Sequence, residues 1–221
     1  MDYQVVRSCR KTIAICINRE GEVIVRAPMR AAQRLIDRFV REQQEWIAQH
    51  TARCKQNAQA RRDLCLCPGA TLPFLGKEYP IRVGDTYGFD GTSLSLPENP
   101  PLPPNEQLQR LYQSLAAPYV QERVAYFSER MGLSSAGVRI GCANTSWGSC
   151  SGKNRLNFTW RLMMAAPEEI DYVIVHELAH IREHNHSPQF WALVGAILPD
   201  YGTRKKRLAD FGKTLQGLGL W

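Results

Sequence analysis

No stretch of this chain approaches the roughly 18 consecutive apolar residues that a membrane-spanning helix requires, so a bilayer-embedded protein is not expected. The opening residues Met1-Asp2-Tyr3-Gln4 lack the basic-then-apolar build of a secretory signal, which leads us to expect a cytoplasmic protein. There is no glycine-rich phosphate loop of the P-loop kind, nor the carboxylate-rich ligation that Mg²⁺ needs. A disulfide framework is missing too: the seven cysteines, at 9, 16, 54, 65, 67, 142 and 150, are odd in number and irregular in spacing. They read as reduced, structural thiols, and Cys65-Leu66-Cys67 is too closely spaced for the usual zinc-knuckle pair. No internal repeat is visible. Histidine is scarce, 5 in 221 residues, which makes its placement informative.

Acidic side chains are the minority, 21 against 28 Lys and Arg, for a net charge of +7. That balance favours anionic partners, but it speaks to association and not to chemistry. The one dense basic cluster is Arg204-Lys205-Lys206-Arg207. It is either a solvated helix face or a nucleic-acid footprint, with Arg204, Lys205 and Arg207 as the contacts. The remainder of the composition, 44% hydrophobic and 22% charged, is that of an ordinary globular chain. Its length is enough to bury one large core or two small ones.

Periodicity suggests an α+β protein. Ile13, Ile15 and Ile17 alternate, Asn18-Arg19-Glu20-Gly21 supplies a turn, and Val23-Ile24-Val25 continues as a second strand. From about 30 to 55, Leu35, Ile36, Phe39, Val40, Trp46 and Ile47 fall largely at helical spacing. Short strands follow at 72–75, 79–83 and 93–96, broken by Gly and Pro. Five of the eight residues from Pro97 to Pro104 are proline, a stiff connector that neither helix nor paired strand can cross. This divides the chain into an N-terminal part (1–96: hairpin, helix and short strands), the connector (97–104) and a catalytic domain (105–221). Within that domain an apolar stripe from Leu108 to Met131 predicts a long helix ending at Gly132. Strands are expected around 138–140 and 156–160. A second helix should start at Pro167, with Glu168, Glu169 and Asp171 in its first turn.

That second helix carries His176-Glu177-Leu178-Ala179-His180. Residues four apart lie on one face of a helix, so His176 and His180 can aim ring nitrogens at one zinc ion, about 2.0–2.1 Å away. Glu177 lies on the neighbouring face, placed to take a proton from a metal-bound water. Four of the five histidines lie between 176 and 186. A catalytic zinc needs a third protein ligand, and His184 and His186 compete for the role. His184 would lie about 12 Å beyond His176 along a straight helix, too far to converge. His186 converges if the helix ends first and Asn185 turns the chain back. Ser187-Pro188 then reads as the cap and first residue of a new helix. The expected ligands are His176, His180 and His186, with His184 left to the surroundings or the surface.

The runs Trp147-Gly148-Ser149-Cys150-Ser151, Asn157-Phe158-Thr159-Trp160-Arg161-Leu162, Asp171 to His180, Asn185 to Trp191 and Pro199-Asp200-Tyr201 resemble the YgjP-like metallopeptidase family. That family is similar to the SprT-like and WLM zincins. The resemblance is strongest over 147–201 and implies a minimal zincin-like α+β domain. It also implies His176, His180 and His186 as zinc ligands and Glu177 as catalytic acid/base. Two departures stand out: Ser146 occupies the place where the family usually has Arg, and Glu183 stands where metzincins have Gly.

The expected activity is therefore hydrolysis of a peptide or protein by a zinc-dependent enzyme. Tyr201 or a backbone N–H of 147–151 would serve the oxyanion; Trp147 and Ser149 are further candidate contacts, although the segment equally reads as a sheet edge beside the site. Cys150 is not expected to act as a nucleophile, and Trp160 and Trp191 read as packing residues. Two rivals are a metal-dependent nucleoside triphosphate hydrolase and a DNA-associated, SprT-like protease or binding protein.

Overall fold

The computed structural model describes residues 2–18, 20–62, 66–98, 100–218 and 220. The elements run β1 (Gln4–Ser8), β2 (Ala14–Ile17), β3 (Val23–Pro28), α1 (Gln33–Glu42), α2 (Gln44–Arg62), β4 (Thr71–Phe74), β5 (Lys77–Gly84), β6 (Gly88–Phe89) and β7 (Leu94–Pro97). After these come α3 (Pro104–Met131), β8 (Val138–Gly141), β9 (Gly148–Cys150), β10 (Leu156–Thr159), a 3-10 turn (Trp160–Met164), α4 (Pro167–Ala179), α5 (Pro188–Ile197) and α6 (Tyr201–Gly217). Helices and small mixed sheets make this an α+β chain, as the patterning predicts. No described helix is long and apolar enough to cross a membrane.

Contacts cluster into two compact units, Met1–Asp63 with Leu215–Leu220, and Leu64–Thr214. The prolines are where the sequence predicts a boundary, with the short strands on its N-terminal side. In the structure those strands cluster with the second unit, and the prolines join β7 to α3 inside it.

In the first unit β2 and β3 form the expected antiparallel hairpin, with Ile15 opposite Val25. β1, which the sequence reading did not register, adds in parallel on the other side of β3. Val23, Val25 and Ala27 alternate inward from β3 onto Ile36, Val40 and Ile47. The single helix expected over 30–55 is two helices. Gln43, at φ −102° and ψ 14°, leaves the helical region, and its N–H turns back to the Phe39 and Arg41 carbonyls.

The second unit holds a four-stranded sheet, β4-β5-β7-β6, and a three-stranded one, β8-β10-β9. Helix α3 buries Leu108, Leu111, Tyr112, Val120, Val124 and Phe127 of the predicted stripe, together with Ala116, leaves Leu115, Tyr119 and Met131 of that stripe half-buried, and puts Pro118 on the exposed face. Gly132 ends it at φ 61°, a left-handed conformation that costs glycine little. Helix α4 begins at Pro167, whose missing N–H would have had no helical partner anyway. Ile170, Ile174 and Leu178 are completely buried along it, each contributing about 1.5–3 kcal/mol. The Arg123 guanidinium on α3 donates to both Asp171 oxygens of α4 at 2.8 Å, a two-point clamp that fixes how the site helix lies on α3. Cys9, Cys16, Cys54, Cys142 and Cys150 are free, as expected, whereas Cys67 is disulfide-bonded, a correction to the expectation of reduced thiols throughout.

Candidate metal centre

His176 lies in the last turn of α4 and His180 caps its end. Beyond them the chain tightens into a turn, with the Glu183 N–H donating to the Ala179 carbonyl at 2.9 Å. This turn brings the Glu183 carbonyl 3.0 Å from His180 Nδ1. A carbonyl oxygen only accepts, so Nδ1 carries the proton and Nε2 keeps a bare lone pair. The reversal then delivers His186, immediately before Ser187, which caps α5 by accepting from the Phe190 N–H.

The three rings form a near-equilateral set, with centroids 4.9, 4.8 and 4.9 Å apart. Their ligating nitrogens all lie within 4.8 Å of one another. His176 Nε2 and His186 Nε2 face each other at 3.0 Å. Two nitrogens that share one tetrahedral ion would sit about 3.3 Å apart, so the observed spacing is close to that of a chelating pair. Burial pushes the basicity of His176 down to about 3, helped by His180, His186 and Lys205, so its ring stays neutral. His180 is lowered as well, first by burial. Three imidazoles converging in this way suit a borderline transition-type ion and not the oxygen-seeking Mg²⁺ or Ca²⁺. His184 is exposed and takes no part in the cluster.

Glu177, next in sequence to His176, is 6% exposed. Its carboxyl packs on β9. A Cβ added to Gly148 would sit 2.8 Å from Glu177 Cγ and 3.0 Å from Oε1, so only glycine admits the side chain. Burial raises its pKa to about 7, opposed by the Cys150 N–H that it accepts. In β9 the amides alternate. Trp147 accepts from Thr159 N, and Ser151 N donates to Arg155 O, so odd positions bond toward β10 and its turn. Gly148 and Cys150 point their polar backbone outward. Burial, then Glu177, push the Cys150 thiol up, which keeps it protonated and unreactive.

The other expected contacts are dispersed. Ser149 is exposed and, by strand alternation, points opposite to Gly148. Trp147 stacks on Phe211, centroids 6.2 Å apart. Tyr201 stacks on Trp191 at 5.2 Å, and Trp191 stacks on His186 at 5.6 Å, so Trp191 packs directly against the triad, while Trp160 is buried against Tyr112. Arg204 is held by Asp200 and the Glu168 carbonyl, and Arg207 lies 3.9 Å from Glu169, so two of the three expected nucleic-acid contacts are engaged within the chain. Nothing here supports a nucleic-acid partner.

Sequence reasoning missed Phe190 and Gly148. Phe190 is wholly buried beneath the triad, its ring 4.9, 4.5 and 4.8 Å from those of His176, His180 and His186. Its position three residues after the Ser187 cap, pointing back at the preceding turn, was the available signal.

Among solved structures the chain is similar to the metallopeptidase zymogen of Pyrococcus abyssi abylysin, at 24% identity over 44% of this chain and 95% of that one, with a TM-score of 0.39. No curated protein matches. The family model described as YgjP-like, metallopeptidase domain, matches residues 11–211, which takes in the hairpin, the clamp between α3 and α4, the histidine triad and α6 as far as Phe211: the chain belongs to the YgjP-like metallopeptidase family.

Proposed function

We propose that the protein is a zinc-dependent peptidase in which His176, His180 and His186 hold the ion and Glu177 is the catalytic acid/base. The observation that carries this is the position of the Glu177 carboxyl, buried against the β9 backbone next in sequence to a converging ligand. Zinc at such a centre supplies a Lewis acid that polarises a scissile carbonyl and acidifies water. The rest falls to the chain. Glu177, with its pKa raised to about 7, is suited to take a proton at a carboxylate oxygen and return it to the leaving amine. The Cys150 N–H holds that carboxylate in place between the two transfers. The outward amide and carbonyl of Gly148 offer an extended peptide a strand edge to pair with. Tyr201 and the outward N–H of Gly148 are the donors proposed for the developing oxyanion.

The test is to load the protein with zinc, measure its stoichiometry, and incubate it separately with casein and with nucleoside triphosphates. One zinc per chain and casein cleavage are expected. Glu177→Gln should keep the zinc and lose about 10²–10⁴ in rate. Nucleotide turnover that disappears in Glu177→Gln, without proteolysis, would overturn the peptidase reading in favour of a phosphohydrolase.

A further inference from the structure

The four cations that run from Arg204 to Arg207 do not share one role. The Arg204 Nε donates to Asp200 Oδ1 at 2.9 Å and Oδ2 at 3.0 Å, and its Nη1 to the Glu168 carbonyl at 3.0 Å. Arg207 leans on Glu169. Lys206 is exposed, and its field reaches Asp210. Lys205 differs. It has no carboxylate partner among the described residues, and its Nζ lies 4.8 Å from the centre of the Trp191 ring.

That indole is stacked on His186, with 24° between the ring planes. An ammonium therefore stands one ring away from the triad, anchored by a cation–π contact. The acidic groups nearby are already committed. Asp200 is taken by Arg204, and Glu177 is buried against β9. An exposed cation held over an indole that itself stacks on a ring of the triad, with no carboxylate partner among the described residues, is arranged to attract an anion from outside.

We infer that Lys205 is a specificity-determining residue that pairs with a carboxylate of the bound peptide close to the scissile bond. The carboxylate belongs either to an Asp or Glu side chain or to a free C-terminus. This inference rests on the peptidase reading above. Lys205 makes no contact with reacting atoms; it selects which peptide is presented to them.

The experiment uses the zinc-loaded full chain and matched peptides that carry Glu, Gln or Lys at each position around one cleavable bond, each as the free acid and the C-terminal amide. Wild type should prefer Glu at one position, or the free acid over the amide, and the pattern tells the two sources apart. In Lys205→Gln that preference should fall about fivefold, the upper end for an exposed charge pair. Lys205→Arg should restore it, Lys205→Glu should invert it toward Lys-containing peptides, and the control Lys213→Gln should leave it alone. A packing role on Trp191 would not produce the inversion. Binding of the same peptides to zinc-loaded Glu177→Gln provides a readout free of turnover. Acidic peptides that bind in a Lys205-dependent way but are never cleaved by wild type would sink the peptidase reading and keep the carboxylate site. Equal binding of Glu and Gln peptides, or a preference indifferent to the Lys205 variants, would overturn the inference itself.

Discussion

Replacing Gly148 with alanine should uncouple Glu177, the proposed acid/base, from the histidine triad without touching any of the three rings. The added methyl would lie 2.8 Å from Glu177 Cγ, 3.0 Å from Oε1 and 3.1 Å from Cδ. Carbon atoms rest about 3.5–4.0 Å apart, so something must yield by roughly an ångström. The Gly148 backbone is not in the left-handed region, and Gly→Ala at such a position is otherwise neutral or favourable by about 0.4–1 kcal/mol. The cost is therefore purely one of space. Glu177 has little room to retreat at 6% exposure, and β9 is hydrogen-bonded to β10 on its far side. Overpacking of this kind costs about 1–3 kcal/mol. An ångström of displacement in a positioned group costs about 10²-fold in rate, and here it also strains the bond from the Cys150 N–H.

Urea melts, zinc content and kcat/KM on a cleaved peptide read the three consequences separately. Gly148→Ala should lose about 1–3 kcal/mol of stability and about 10²-fold in kcat/KM, with zinc retained because no ligand nitrogen is displaced. Gly152→Ala is the matched control, since a methyl there meets nothing within 4 Å. If the two variants are equally stable and equally active, the packing of Glu177 on β9 does not position it and the argument fails.

What could be seen in the sequence was what local signals encode. Pro167 starting α4, Gly132 ending α3 and Ser187 capping α5 each act through their own backbone and one or two neighbours, and each stands where the sequence puts it. The clustering of His186 with His176 and His180 was accessible for the same reason, because helix rise alone excludes His184. The unseen parts depend on partners distant in sequence. A glycine in Trp147-Gly148-Ser149-Cys150 announces a close approach, but nothing local says that Glu177 is what approaches. Strand β1 pairs in parallel with β3, across the intervening β2, and parallel partners leave no turn signature. The prolines of 97–104 stop both regular structures, which the sequence shows. Whether such a stop separates two units or two layers of one depends on what β4–β7 pack against.

The basic run at the start of α6 shows how composition misleads when partners are unknown. Arg204 ties α6 to the N-terminal turn of α4 through the Glu168 carbonyl, and Arg207 approaches the next residue, Glu169. Charge that reads as a footprint for an external polyanion is thus partly spent on holding two helices together. What remains directed outward near the site is Lys205, a single charge beside Trp191, which suits a single carboxylate better than a polyanionic backbone.

Two further outcomes separate these assignments. His186→Ala should lose zinc on dialysis against a mild chelator while His184→Ala keeps it, as read by elemental analysis; the opposite pattern would refute the ligand set. The other concerns Glu169, 4% exposed, whose pKa is raised above its ordinary 4.5 by burial and by Glu168, against the pull of its own backbone N–H and of Arg207 and Arg204. A carboxyl that holds its proton more tightly when folded makes the native state bind more protons than the unfolded chain across the interval between the two pKa values. Stability then falls as pH rises through that interval and stays lower above it. Glutamine has no charge to bury, so Glu169→Gln should melt higher than wild type at pH 8, with the advantage fading as pH drops toward 4. Thermal melts of the zinc-free protein at both pH values decide it, and a difference that does not change with pH would show that burial of the charge is not what Glu169 costs.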